Sequence, residues 1–326
     1  MLHSAAAAAA SQQSHLPGTL YVVATPIGNL ADISLRAVYL LGRVDAVACE
    51  DTRVAAQLLR HLGLHKPLLA VHAHNEHSAA QAVLQRLAVG ESVAYVSDAG
   101  TPAVSDPGAL LVAAAARAGH PVVPLPGPSS ATAAISVAGD AQAGGYCFIG
   151  FLPAKGGERS TALAAMLSDR RAQIVFEAPH RVVALASELA LAAPERRVTL
   201  CRELSKQFET VITQTAATLP AWLAQDPNRQ RGEFVLVLHG LPLPLSERSV
   251  LSESSLHTLR VLLRELPLKQ ACALAAEITG APRKHLYQRA LAERGAEPSE
   301  GEAGAEPDAD QEQVADPVPD EDGART

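Results

Sequence analysis

Residues 92–108 read SVAYVSDAGTPAVSDPG, and the order of residue types in that stretch decides the fold class. Ser92–Val96 is short, apolar and rich in β-formers, which suits a strand buried on both faces. It breaks into Asp, Gly, Thr and Pro, and a helical pattern follows over Ala109–Ala118. The same order recurs on either side. Strands are predicted at Leu20–Ala24, Ala46–Cys49, Leu68–His72, Ser92–Val96 and Pro121–Pro124. Between them lie amphipathic stretches at Leu35–Leu41, Arg53–Leu62, Ala79–Leu87 and Ala109–Ala118. Gly63 and Gly119 stand where helix C-termini favour a left-handed residue. Strand–helix alternation of this kind predicts an α/β domain with a mainly parallel sheet.

Past residue 142 the pattern changes. Strands at Tyr146–Phe151, Gln173–Glu177, Arg197–Cys201, Glu209–Thr213 and Glu233–His239 come with fewer helical patterns, and the third and fourth can form a hairpin. A second α/β domain of mixed sheet is expected, with a hinge near Gly139–Gly145. A linker with Pro and Ser, Leu241–Ser252, leads to a helical segment with patterns at Leu256–Leu266, Leu268–Ile278 and Arg283–Leu291. The expected organisation is a disordered leader (1–17), an N-terminal α/β domain (18–140), a second α/β domain (141–245), a helical segment (252–295) and a disordered acidic tail (296–326).

Composition narrows the classes. Of 326 residues, 48% are hydrophobic, enough for real cores, so a wholly disordered chain is excluded. No apolar run approaches the ~18–20 residues of a membrane span. The four cysteines, Cys49, Cys147, Cys201 and Cys272, show no CxxC spacing, which fits a reducing cytoplasm better than a disulfide framework. The net charge of −7 is misleading, because residues 297–326 hold 11 acidic residues and one Arg. The rest of the chain is therefore mildly basic, which permits a polyanionic partner.

Ligands in open α/β sheets bind beyond the carboxyl ends of the strands. Here five such ends run into Gly-, Pro- and polar-rich loops: TPIGNLADIS (25–34), CEDTR (49–53), HAHNEH (72–77), SDAGTP (97–102) with SDPG (105–108), and PLPGPSS (124–130). Each alone reads as a turn; five on one edge read as a ligand site. Neither GxGxxG nor GxxxxGK[ST] is present, so the common dinucleotide and phosphate-loop fingerprints are absent.

These blocks, with ACEDTR, HNE, GFLPAK (150–155) and RGEFVLVLHG (231–240), resemble those of the tetrapyrrole-methylase-type superfamily, and within it the bacterial 16S rRNA (cytidine-2′-O)-methyltransferases. The resemblance covers residues 18–294, with SDAGTP and GFLPAK setting this branch apart from the corrin and porphyrin methylases. It implies two α/β domains of the tetrapyrrole methylase type with the cofactor in the cleft between them, plus a small C-terminal helical segment. It further implies S-adenosyl-L-methionine as cofactor, a homodimer, no membrane, and 16S rRNA within the 30S subunit as partner.

The cofactor residues it implies are Thr25, Pro26, Gly28, Asn29, Asp98, Ala99, Gly100, Thr101, Val104, Gly127, Ser129 and Ser130, and from the second domain Phe176, Glu177, Gly232 and Phe234. Asp98 is read either as a ligand acceptor or as a turn-closing residue, and Ser129 and Ser130 as ligand groups, helix caps or both. Glu177 either lines the pocket or pairs with Arg181.

Methyl transfer to a ribose hydroxyl needs alignment, water exclusion and relief of the hydroxyl proton. Asp51, Arg53 and Glu76 are the candidate catalytic residues, with Asp51 equally a helix N-cap. Glu50, His74 and Asn75 lie on the same loops. Lys155, Arg283, Lys284 and Arg289 are candidate RNA contacts through phosphate. HAHNEH imitates a zinc-ligand run, but the surrounding loops account for HNE without a metal, and none is expected. The rival readings are a corrin- or porphyrin-type small-molecule methylase and a DNA-binding regulator with a helix-turn-helix.

Overall fold

The computed structural model describes residues 1–72, 75–141, 144–241 and 251–294. The chain divides into two compact units at Pro242/Leu243, and the first of these holds two sheets.

The first sheet contains β1 (Leu20–Val23), β2 (Ala46–Cys49), β3 (Leu68–Ala70), β4 (Val93–Val96) and β5 (Val122–Leu125), in the order β3-β2-β4-β1-β5. Every pairing is parallel. Side chains alternate between faces, as the pleat requires. Tyr21, Val23, Val47, Cys49, Ala94 and Val96 point into a core closed by α1 (Leu2–Ala10), α2 (Leu35–Arg43) and α3 (Thr52–His61). Leu20, Ala48, Val93 and Tyr95 face the other way, against α4 (Glu76–Ala88) and α5 (Ala109–Arg117). Fully buried Leu20, Leu41 and Leu111 contribute about 1.5–3 kcal/mol each relative to exposure.

The second sheet contains β6 (Tyr146–Phe151), β7 (Ala172–Glu177), β8 (Arg197–Arg202), β9 (Thr210–Thr215) and β10 (Phe234–Leu238), in the order β6-β7-β10-β8-β9. β6 and β7 are parallel and the rest antiparallel, so the sheet is mixed as expected, and β8–β9 is the anticipated hairpin. One face packs on α7 (Gly156–Ser168), α8 (Val182–Ala192) and α9 (Leu219–Ala224). The other is covered by Ala131, Ala134 and Ala138 of α6 (Ser130–Ala138).

Two sequence expectations differ. Residues 2–10 of the expected disordered leader are helical, with Ala6 and Ala10 buried and the His3 ring nitrogen 2.7 Å from Leu62 O. Alanine is the best helix former, and its small side chain lets α1 lie close on α2. α6, expected within the first domain, packs on the second sheet. The second half carries fewer α-helices than the first, as expected, and its patterns did not mark where α7, α8 and α9 lie.

In the second unit, α10 (Glu253–Glu265), α11 (Leu268–Thr279) and α12 (Arg283–Arg294) enclose Leu259, Cys272, Ala275, Leu286 and Ala290. Gly280 ends α11 in the left-handed conformation. The expected linker, apart from Leu241, Leu251 and Ser252, and the expected acidic tail lie outside the described residues.

Candidate active site between the two sheets

The loops at the carboxyl edge of the first sheet are tied to one another. Thr25 and Gly100 exchange backbone hydrogen bonds, Thr25 N donating to Gly100 O at 2.9 Å and Gly100 N to Thr25 O at 3.1 Å. Asp51 N donates to Asp98 Oδ1 at 3.0 Å, joining the loops after β2 and β4. Thr101 Oγ1 donates to Pro128 O at 3.0 Å, joining those after β4 and β5. From the second sheet, the Ser205 hydroxyl donates to the Asp32 carboxylate. A parallel sheet fixes where each loop begins, and these bonds fix where each goes.

A cavity of about 350 Å³ opens between the sheets. Of the expected cofactor residues, Ala99, Gly100, Thr101, Val104, Ser129, Ser130, Phe176, Glu177 and Phe234 line it together. Thr25, Pro26 and Asp98 line a neighbouring hollow of about 250 Å³ with Leu30 and His61. Gly127 lies on a third groove that shares Ser129, and Asn29 caps a short turn by accepting from Ala31 N at 3.1 Å. Gly28 and Gly232 allow close approach: a Cβ at Gly28 would lie 2.3 Å from Lys206 Cγ, and one at Gly232, where φ is +95°, 2.5 Å from Glu203 Cγ. Lys206 in turn holds Glu203 and Glu233, each at 3.0 Å.

Ile27, inside the expected TPIGNLADIS loop, also lines the cavity, as do Asp106, Phe151, Cys201, Leu204 and Val235, which sequence reasoning missed. Asp106 was visible in the SDPG block; the others are ordinary core-type residues whose role depends on where the second sheet ends. Phe176 meets Phe148 and Phe151 edge-on, at 5.0 and 5.7 Å between centroids, making an aromatic wall. A larger hollow of about 570 Å³ lies at the far end of the second sheet, beside Arg196 and His239, and collects none of the expected site residues.

The candidate catalytic residues have defined partners. Asp51 caps α3, accepting from Arg53 N at 2.8 Å, and its carboxylate is forked by the Arg53 guanidinium down to 2.5 Å. Those bonds hold its pKa down at about 2, which makes it a poor proton acceptor. The Arg53 side chain remains 90% exposed. Glu76 Oε1 accepts from Gly108 N, Leu110 N and Leu111 N at 2.9, 2.8 and 3.3 Å. It therefore caps α5, whose N-cap residue is a glycine without a side chain. Asn75 accepts from His72 N and donates to Ala70 O, so it shapes its own loop. His74 lies outside the described residues, and among those described no cluster of His, Cys, Asp or Glu is placed to hold a metal.

Glu177 both lines the cavity and is ion-paired. Its fully buried carboxylate lies 2.9 Å from Arg181 and 3.6 Å from Arg159. Those guanidiniums also donate to the carbonyls of Leu152 and Pro153, fixing the backbone of GFLPAK, which ends at exposed Lys155, the N-cap position of α7. Ser129 occupies the N-cap position of α6, but its hydroxyl makes no cap bond. In the helical unit, Arg283 and Lys284 are exposed on the first turn of α12. Arg289 instead shares Glu293 with Arg260, at 3.1 and 3.0 Å.

The cavity suits a methyl-donor nucleoside. Apolar and aromatic side chains provide plates for a flat ring, Ser129 and Ser130 offer hydroxyls, and Asp106 brings a carboxylate, while the charge of Glu177 is matched by Arg181 and Arg159. Glu177 Oε2 faces the Arg159 guanidinium at 3.6 Å.

Fold and cleft together define a methylase of the tetrapyrrole class, and residues 19–220 match the family model of Tetrapyrrole (Corrin/Porphyrin) Methylases. Residues 250–294 match the RsmI C-terminal HTH domain. The chain is 49% identical over 279 residues to ribosomal RNA small subunit methyltransferase I of Pseudomonas aeruginosa, covering 85% of this chain and 98% of that protein. The protein of the same name in Escherichia coli O157:H7 is 45% identical over 279 residues, 85% and 96% of the two chains. The chain belongs to the ribosomal RNA small subunit methyltransferase I family.

Among solved structures, diphthine synthase superposes with a TM-score of 0.53 at 16% identity, covering 68% of this chain and 90% of that one. Uroporphyrin-III C-methyltransferase of Thermus thermophilus, complexed with S-adenosylhomocysteine, gives 0.50 at 20%, covering 68% and 97%. These likenesses speak for the fold. S-adenosylmethionine is the cofactor that family membership brings with it, and the cleft residues fit it. No helix among the described residues is long and apolar enough to cross a membrane.

Proposed function

We propose that the chain methylates the ribose 2′-hydroxyl of a cytidine in the decoding region of 16S rRNA, with the 30S subunit as substrate and S-adenosylmethionine as donor. The observation that carries this reading is the cavity between the two sheets, walled by the SDAGTP and PSS loops on one side and by Phe176–Glu177 and Phe234 on the other. The names of the relatives support an rRNA substrate, and the separate three-helix unit supports a large one. A cytoplasmic location agrees with the free cysteines, and a homodimer with the family resemblance.

The donor supplies a methyl group on a sulfonium, already a good leaving group. What remains for the protein is positioning, exclusion of water and handling of a proton. Backbone groups of Ala99–Thr101 and the hydroxyls of Ser129 and Ser130 hold and orient the nucleoside. Thr25, Pro26, Gly28, Asn29, Asp98, Gly127 and Gly232 act one layer out, by fixing the loops.

Arg53, held in place by Asp51, and Lys155, on a backbone anchored by Arg159 and Arg181, present cations to the RNA at the cleft. Glu76 contributes by holding the SDPG segment through its cap on α5, and Asp51 by orienting Arg53. Arg283 and Lys284, with Arg289 steadied by Glu293, add phosphate contacts from the helical unit. These contacts make binding fall steeply with salt.

Labelled methyl donor and 30S subunits lacking this modification test the reading. Label in a cytidine ribose supports it; label on a tetrapyrrole and none on 30S subunits overturns it in favour of a small-molecule methylase.

A further inference from the structure

Carboxylates crowd the carboxyl edge of the first sheet, and most are committed. Asp51 is forked by Arg53. Asp98 accepts the backbone N–H of Asp51. Glu76 caps α5 with three N–H bonds. Across the cleft, Glu177 is flanked by Arg159 and Arg181, and Glu233 is paired with Lys206. Asp106 differs from all of these. It lines the cavity together with Ala99–Thr101 and Glu177, is half-buried, and has no cationic partner among the described residues. The Ser97 hydroxyl, which donates to the carbonyls of Ala99 and Gly100, lies near it, and the nearby ionisable groups are the carboxylates of Glu50 and Asp98 and the buried phenol of Tyr95.

We propose that Asp106, in the SDPG loop, is the general base that accepts the proton of the substrate hydroxyl. This rests on the reading of the cleft as a 2′-O-methyltransferase site. The 2′-oxygen forms a bond to the methyl carbon while the carbon–sulfur bond breaks and its electron pair stays on sulfur. The hydroxyl proton passes to the Asp106 carboxylate and then to water.

Two features suit the role. A carboxylate without a cation keeps its basicity, whereas the guanidinium forked onto Asp51 removes that residue's. Burial, and then the negative charge of Asp98, push the Asp106 carboxyl above its ordinary range, with the nearby Ser97 hydroxyl opposing. A base closer to neutrality is the better catalyst at physiological pH. The Glu76 cap also acquires a purpose here: it anchors Gly108, two residues beyond Asp106, and so holds the loop that carries the base.

The test compares full-length wild type with Asp106→Asn, an isosteric change, and Asp106→Glu, on 30S subunits at saturating donor and substrate. Donor affinity is measured by calorimetry. The expected result is a fall in kcat of about 10²–10⁴-fold for Asp106→Asn, donor affinity within about threefold, and partial activity for Asp106→Glu. The wild-type rate should rise through a carboxylate pKa above the ordinary range, and that limb should vanish in Asp106→Asn. A kcat for Asp106→Asn within about threefold of wild type refutes the inference, as does a loss matched by lost donor binding. If wild type itself transfers no label, the reading of the site fails instead, which keeps the two failures distinct.

Discussion

Replacing Glu76 separates two roles that its position in HNE leaves open. Its Oε1 takes three backbone N–H groups at the start of α5, two of them half-buried. Losing a side-chain cap costs about 0.5–2 kcal/mol, and a carboxylate at a helix N-terminus adds about 0.3–1 kcal/mol. Glu76→Ala removes both and leaves Gly108 N short of a partner, so the expected loss is about 2 kcal/mol. For a unit of this size that corresponds to a fall in Tm of roughly 4–8 °C, at about 2–4 °C per kcal/mol. Glu76→Gln keeps an acceptor oxygen and loses only the charge, so it should cost under about 1 kcal/mol and leave kcat near wild type. Calorimetric melting and donor-saturated turnover on both variants are the assays. If Glu76→Gln abolishes turnover with Tm unchanged, or Glu76→Ala melts with wild type, the capping account is wrong.

Other outcomes follow from the same geometry. Asp51 should titrate near 2 by carboxyl NMR and move towards its ordinary 3.8 in Arg53→Ala, because the forked guanidinium is the largest cause of the depression. The sign is that of a lowered acid: the Asp51–Arg53 contribution is complete above pH 3.8 and disappears as pH falls through about 2. At pH 8, Cys147, which is half-buried, should be the thiol that labels quickly; Cys49 and Cys201, whose thiols burial pushes up to about 12, and buried Cys272 should label only on unfolding. Removing the helical unit from residue 251 onward should leave donor affinity unchanged while abolishing transfer to 30S subunits. Undiminished transfer would return the helices to a structural role.

Much of the first domain was legible because its strands are short apolar runs bracketed by Gly and Pro, and predicted and observed ends agree within a residue or two. The second half was harder. α8, VVALASELALA, is apolar nearly all round, so no amphipathic stripe marks it. The alanine tract of α1 lacks large side chains and reads as featureless until α2 is seen to bury Ala6 and Ala10. In the site, loop residues such as Ala99–Thr101 and Ser129–Ser130 announced themselves by turn chemistry. Glu76 did not, because its role depends on N–H groups more than thirty residues away. Nor did Cys201 or Val235, which line the cavity only because β8 ends and β10 begins beside Phe176.

The most direct measurement is methyl transfer from labelled S-adenosylmethionine to 30S subunits lacking this modification, followed by nuclease digestion and mass spectrometry. The account predicts a single labelled nucleotide, a cytidine carrying the methyl on its ribose 2′-oxygen. Label on a base, or none despite measured donor binding, would contradict it.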